Sequence, residues 1–428
     1  MEPREQSSAA GRRLPLVVGI TGLYGSGRST VADLLSDDHG FRKLVMSDLI
    51  REKFDAGQAD IVELQRLGDE WRRNEGHAAV ALAALSKIRT LDDDTIVVDG
   101  LKHPQEVEAL RSAGDFYVLS IQARTATRKR HSLGKGVSEE HFRRIDEYDQ
   151  VEKDAYGDEV EYGQRAAYCL PLADLSVWND TIYSESPAVE QSLTDEQREE
   201  KAQQASLMGL STKISAVAAL LTGATGNISP YPIEVRMSQA YAAAGQSSCL
   251  KRKVGAVITN DADRILAEGY NEVPGGQSPC FEGGEGKCFR DIVKSEELET
   301  LTSSLIVQCK KCGTQLGSDL RCTSCGIGYA KALRKTKHLD CCRALHAEES
   351  ALLQVSRHGG MGVEGGTIYT TTFPCALCAK KIVAVGITMV VFAEMYDVPE
   401  AEAFLVGADV QAVCFEGVTH RALHRLYR

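Results

Sequence analysis

Apolar residues in the first part of the chain fall in short runs separated by helical repeats. Leu14–Thr21 reads as a strand that enters a glycine-rich turn, and Ser29–Ser36 continues as a helix. Thr95–Gly100 (TIVVDG) is a buried strand ending in an acid, Glu106–Ala113 a helix, and Phe116–Ile121 another strand. This strand–helix–strand rhythm predicts a parallel sheet covered by helices. A basic stretch, Arg124 to Arg130, follows, and the unit closes around Ala173–Asn179 (ADLSVWN). From Ser184 to about Ser229 the composition shifts. The segment TDEQREEKAQQ is charged and shows no strong apolar face until Leu207, which predicts a linker or interdomain helix. The SPYP segment at Ser229–Pro232 marks the next boundary.

The pattern then restarts. Glu234–Ala244 is helical, and Val254–Thr259 with Ile265–Gly269 reads as a hairpin across the polar turn NDAD. Between Cys280 and Asp340 periodicity gives way to glycine, cysteine and charge. It returns as helix Ala347–Arg357, strand Thr367–Thr371, helix Leu377–Val385, strand Met389–Ala393, helix Glu400–Leu405 and strand Ala412–Phe415. No internal repeat is present. The expected layout is an α/β domain over 1–185, a linker over 186–230, and a second α/β domain over 231–428 that carries an insertion at 280–340.

A chain of 428 residues accommodates two domains of ordinary size. The net charge of −11 argues against a protein wrapped on duplex nucleic acid, which presents a basic face. A small anionic ligand needs only a few cations, so it stays open. No apolar run reaches the ~18 residues of a membrane span. The first thirteen residues lack the apolar core of a signal peptide. A cytoplasmic location without membrane contact is the expectation. Thirteen cysteines are many for such a protein, but six form the pairs Cys309/Cys312, Cys322/Cys325 and Cys375/Cys378. In a reducing compartment Cys-x-x-Cys pairs are metal sites before they are disulfides.

Two fragments carry reaction chemistry. His346-Ala347-Glu348 and Pro374-Cys375-Ala376-Leu377-Cys378 together match H-x-E followed by P-C-x-x-C, the zinc deaminase signature. One imidazole and two thiolates give catalytic zinc three protein ligands and leave a position for water. Glu348 does not bind metal in that scheme and serves as the general acid and base. Both fragments stand at helix N-termini, where the dipole favours thiolate. Taken singly, a Cys-x-x-Cys is equally a redox pair or half a structural zinc site. The conjunction is what points to deamination.

The segments SSCLKRKVGAVIT (Ser247–Thr259), GYNEVPGG (Gly269–Gly276), CCRALHAEESAL (Cys341–Leu352) and TIYTTTFPCALCAKKIVAVGI (Thr367–Ile387) resemble the deoxycytidylate deaminases. The resemblance implies a cytidine-deaminase α/β/α sandwich and a free deoxycytidine nucleotide as substrate. It places Asn271 at the sugar or phosphate side of that substrate. It further implies homo-oligomers, often hexamers, that respond to deoxynucleoside triphosphates. Lys251, Arg252 and Lys253 offer cations near the same strand, or plain solvent-facing charge; the sequence leaves both readings open.

Within the insertion, Cys309, Cys312, Cys322 and Cys325 have the spacing of a zinc ribbon, with Gly313 and Gly326 after each second cysteine. Four thiolates suit a closed structural zinc site. The ribbon reads first as a staple for the insertion, ahead of a nucleic-acid or partner contact.

Gly22, Gly25, Gly27, Arg28, Ser29 and Thr30 follow a strand and open a helix, which is P-loop context. Backbone N–H groups would curl round phosphate oxygens, and Ser29 would reach magnesium. Asp99 stands like a magnesium-organising acid after a strand. Arg28 occupies the place of the motif's lysine, which keeps the charge but puts phosphoryl transfer in doubt. With Ser47–Arg51 as a monophosphate-site entry and Arg124, Arg128 and Arg130 as a lid, the ordered set resembles small nucleotide kinases. The pairing of such a domain with a deoxycytidylate deaminase resembles bacterial anti-phage deoxycytidine nucleotide deaminases. That resemblance implies conversion of dCTP and dCMP to dUTP and dUMP. It also implies a regulatory nucleotide at the P-loop, and it leaves room for an inhibitory RNA or protein partner. Three alternatives stand beside it. One is a polynucleotide cytosine deaminase that holds single strands with the ribbon and the tract Lys331–Lys337, against which the acidic charge and 6% aromatic content weigh. The others are a nucleotide-gated scaffold without catalysis and a bifunctional kinase–deaminase.

Overall fold

The computed structural model describes residues 14–150, 162–180, 195–226, 228–282, 286–293, 312–314, 322, 324, 342–357, 362–395 and 398–427. The chain divides into two compact units. Among the described residues the first comprises 14–150, 162–180, 195–226, 228–235 and 415–427, and the second 236–414.

In the first unit, β1 (Leu16–Thr21) lies between β3 (Thr95–Leu101) and β4 (Asp115–Gln122), parallel to both. β2 (Arg42–Val45) extends the sheet beyond β3, and β5 (Leu175–Trp178) beyond β4, also in parallel. The central strands are apolar on both faces, as a sheet covered twice requires. On β1, Val17 enters one core cluster with Ile96, Val98 and Phe116. Val18 and Ile20 enter the other with Val97, Tyr117 and Leu119. The alternation seen in sequence as an unbroken apolar run is thus split between two cores. β2, with sequence RKLV, lacks an apolar run because it is an edge strand whose charged residues face out.

Helices Met46–Phe54, Ile61–Glu75 and Ala79–Ile88 build the first core, with Leu49, Leu64, Leu67 and Trp71 turned inward. The segment expected as a linker or interdomain helix is helical, but it packs within the first unit. Asp195–Thr222 is one helix, and Leu210, Ile214, Ala218 and Leu221 are buried in the second core cluster of the first unit. Their spacing is one helical face, so this helix belongs to the unit's core rather than joining two domains.

The chain's last described segment also departs from expectation. Phe415–Tyr427 packs in the first unit, not in the second. Strand β11 (Gly417–Val418) pairs antiparallel with β5, the one antiparallel edge of that sheet. Thr419 N donates to Asp174 O at 2.9 Å, and Lys213 Nζ contacts Glu416 Oε1 at 2.8 Å. Glu234 Oε1 accepts from Val418 N at 2.7 Å, and both its oxygens accept from the Tyr427 hydroxyl at 2.9 and 2.7 Å. By connectivity, the second unit is therefore an insertion within the first.

The second unit has a five-stranded mixed sheet in the order β10-β9-β8-β6-β7. Here β6 is Gly255–Thr259, β7 Ile265–Tyr270, β8 Thr367–Thr372, β9 Met389–Glu394 and β10 Gln411–Cys414. The hairpin read from sequence is present, with β6 antiparallel to β7 and to β8, while β8, β9 and β10 run parallel. Two glycines show why helices cover both faces. A Cβ on Gly255 would stand 2.0 Å from Ala240 O, so helix Pro232–Gly245 lies directly on that face. A Cβ on Gly269, which pairs with the neighbouring Ala256 and so faces the other way, would stand 2.3 Å from Ala351 N. Helix Ala347–Arg357 therefore lies on the opposite face. No described helix is long and apolar enough to cross a membrane.

Candidate active site

The second unit brings its chemistry together at two helix starts. His346 stands immediately before helix Ala347–Arg357, with its carbonyl accepting from Ser350 N at 2.8 Å. Cys375 is the N-cap of helix Ala376–Ala384, its carbonyl accepting from Ala379 N at 2.9 Å. Pro374 stops β8 after Phe373 N has made a last bond to Glu394 O at 2.8 Å, and the chain turns into the helix there. Cys378 lies in that helix's first turn.

His346 Nδ1 is 3.3 Å from Cys375 Sγ and 3.4 Å from Cys378 Sγ. The three donor atoms lie within 4.8 Å of one another, and no other such group of three occurs among the described residues. Contact with Cys378 pulls the Cys375 thiol down to about 4 against the opposing effect of burial, and His346 adds to the pull. The same contact, with burial, pushes the Cys378 thiol up. His346 is pushed up, first by its contact with Cys375. One nitrogen from half-buried His346 and two sulfurs from buried cysteines form a donor set that suits zinc with one coordination position left over.

Glu348 is 4% exposed and faces the same cavity. Burial raises its carboxyl above the ordinary range, with the nearby imidazole opposing. The cavity encloses about 240 Å³ and is lined by His346, Glu348, Cys375, Asn271, Arg252 and Thr372, among others. Asn271, expected at the sugar or phosphate side of a substrate, lines the cavity, and its amide is engaged with the protein. Its Oδ1 accepts from Val254 N and its Nδ2 donates to Arg252 O, both at 2.8 Å. It therefore fixes the backbone on either side of Lys253. Arg252 pairs with Glu394, and Lys251 with Asp291, so neither cation is simply solvent-facing. Sequence reasoning missed Thr372, whose hydroxyl is buried without a partner, and Arg290, which reaches the cavity from the insertion. Threonine in a TTT strand and arginine in an aperiodic stretch carry no local signal.

Of the ribbon, Cys312 and Cys322 are described, with sulfurs 3.4 Å apart. Cys309, Cys325 and the tract Lys331–Lys337 lie outside the described residues.

In the first unit the glycine-rich loop sits beyond the carboxyl end of β1, where neighbouring strands lead off to either side, the usual place for a ligand in such sheets. Gly25 and Gly27 have φ of 80° and 99°, the left-handed region that glycine tolerates. A Cβ on Gly22 would stand 2.3 Å from Ile121 O. Arg28, Ser29 and Thr30 open helix Arg28–Asp37, with Ser29 exposed. Asp99 is buried on β3, opposite Ile20. Arg128 does not act as a free lid cation. It is buried, donates to the carbonyls of Ala123 and Tyr24, and pairs with Asp146, bracing the loop from outside.

Residues 232–394, which hold the metal-ligand cluster, Glu348 and the cavity, match the family described as the cytidine and deoxycytidylate deaminase zinc-binding region. The deoxycytidylate deaminase of enterobacteria phage T2 is 32% identical over 160 residues, covering 37% of this chain and 77% of that protein. The chain belongs to the deoxycytidylate deaminase family. The deoxycytidylate deaminase of Schizosaccharomyces pombe is 33% identical over 172 residues, 40% of each chain, and this chain covers 39% of the one from Saccharomyces cerevisiae. The chain thus spans well under half the length of these two yeast deoxycytidylate deaminases. A UPF0200 protein of Methanothrix thermoacetophila is 33% identical over 128 residues, covering 29% of this chain and 69% of that protein. The mixed sheet with helices on both faces is consistent with the cytidine deaminase fold.

Proposed function

We propose that the second unit hydrolytically deaminates the cytosine of free deoxycytidine nucleotides, dCMP, dCTP or both, giving dUMP or dUTP and ammonia. The observation that carries this reading is the convergence of His346, Cys375 and Cys378 on one point, with buried Glu348 beside it. His346, Cys375 and Cys378 would hold a zinc ion, which would supply Lewis acidity for activating water near neutral pH. Glu348 takes one proton from the water as it adds and gives it to the ring nitrogen, then takes the second from the adduct's hydroxyl, as the carbonyl forms, and gives it to the departing amine. Its burial keeps the protonated form accessible at the stage when the amine needs a proton. Asn271 holds the Arg252–Val254 backbone in place at the cavity wall.

The first unit is a P-loop, nucleotide-kinase-like module that binds a nucleotide, with magnesium at Ser29 and Asp99, and regulates deamination. The chain is a homo-oligomer that depletes dCTP in defence against phage. The buried carboxylate beside a loop of left-handed glycines supports the first statement. The presence of both units in one chain supports the second. A second zinc at Cys309, Cys312, Cys322 and Cys325 staples the insertion, a reading supported by the close approach of Cys312 and Cys322.

Purified zinc-loaded protein incubated with dCMP and with dCTP tests the substrate reading by ammonia release. A lack of reaction with either, in the presence of ATP and magnesium, overturns it. Single-stranded DNA as competitor separates free nucleotides from polynucleotides as substrates. Nucleotide-pool measurement in infected cells, comparing wild type with Glu348→Ala, tests the defensive role.

A further inference from the structure

Beside the glycine-rich loop lies a buried cluster of charge that the proposed reading leaves unused. Lys102 follows the end of β3, three residues after Asp99. Its Nζ meets Asp149 Oδ1 at 2.5 Å, with Lys102 16% exposed and Asp149 fully buried. Arg28 and Asp99 also act on this ammonium, and Arg28 and Asp149 both act on the Tyr24 hydroxyl, so all five side chains face one region. Burial first, and then the repulsion from Arg28, pulls Lys102 down to about 8 against the attraction of Asp149. Lys102 is thus a largely buried cation that feels a second cation, Arg28, and depends on anionic partners.

Three groups in this cluster are buried without a hydrogen-bond partner: Ser26 Oγ, Arg28 Nη1 and Asp149 Oδ2. Buried polar atoms are rarely left unpaired, and several together at a loop of this kind mark a place where a ligand completes the bonding. The donors Ser26, Arg28 and Lys102 suit phosphate oxygens. Asp149 does not, because a carboxylate repels them.

We propose that Lys102 is a phosphate-binding residue of the first unit. Asp149 holds its ammonium while the site is empty, and the terminal phosphate of a nucleoside triphosphate takes Asp149's place. Lys102 then supplies, from the end of β3, the point charge that the loop itself lacks because Arg28 stands where the motif has lysine. This rests on the reading of the loop as a nucleotide site.

Calorimetric titration of the full chain with ATP, ADP and AMP in magnesium tests it. Lys102→Met is expected to weaken ATP about tenfold or more while changing AMP little, the size of one charge-assisted bond. Asp149→Asn is expected to tighten ATP several-fold, and that gain should vanish in the Lys102→Met background, as coupled residues require. Lys102→Gln keeps a bond to Asp149 and covers the case in which methionine unfolds the unit; it should also weaken ATP. If wild type binds ATP but neither lysine variant weakens it, or Asp149→Asn does not tighten it, the assignment of Lys102 is overturned. If wild type binds no nucleotide, the reading of the loop fails and this inference falls with it.

Discussion

Glu348 is the residue on which the proposed reaction turns, since it moves both of the water's protons, one to the ring nitrogen and one to the departing amine. Glu348→Gln should lower ammonia release by about 10²- to 10⁴-fold, the usual contribution of a positioned acid–base group. Zinc content, measured by atomic emission, should stay unchanged because the ligands are intact. Asn271 works differently. Its amide bridges the Arg252 carbonyl and the Val254 N–H, so Asn271→Ala leaves two backbone groups without their partners. The expected result is a raised KM with a smaller change in kcat, measured with dCMP. The ligands and Glu348 were legible in the sequence because their chemistry depends on residue type at fixed spacing. Asn271's bonding was not, since it depends on how strands β6 and β7 end against each other.

At the scale of elements, the site depends on how closely the helix carrying Glu348 approaches the sheet. A methyl group on Gly269 would meet the backbone of Ala347 and Ala351, with no flexible side chain to yield. Gly269→Ala should therefore destabilise the second unit by about 1–3 kcal/mol, as overpacking does, and lower deamination more than Tm alone accounts for. Calorimetry alongside ammonia release checks both. In the first unit, His103 caps helix Pro104–Leu110, its Nδ1 accepting from Gln105 N, and stacks on His77 at 4.6 Å. Burial, then His77, holds its pKa down to about 3. The folded unit keeps this ring neutral while the unfolded chain protonates it below about pH 6.5, so stability is full above that pH and falls toward pH 3. Melting curves between about pH 8 and pH 5 should show that slope. His103→Asn, which keeps a cap, should flatten it. The central strands were readable as elements because both their faces are buried. The core role of helix Asp195–Thr222 is not legible in the sequence, because its charged start hides the later Leu210, Ile214, Ala218, Leu221 stripe and suggests a linker or interdomain helix.

For the whole molecule, two α/β units were legible from the restart of periodicity near Ser229, but their boundaries were not. A two-residue strand has no period, so nothing in Gly417–Val418 announced that it would pair with β5. Deleting residues 417–428 should lower the first unit's melting temperature and leave the metal-ligand cluster assembled, a separation that domain-resolved calorimetry and zinc content can test together. The same edge strand has a practical consequence for dissecting the protein. One protease cut between the units should not free either half, because the C-terminal piece stays hydrogen-bonded into the N-terminal fragment's sheet. The two fragments should co-elute on gel filtration, and only a second cut after Cys414 should let them part.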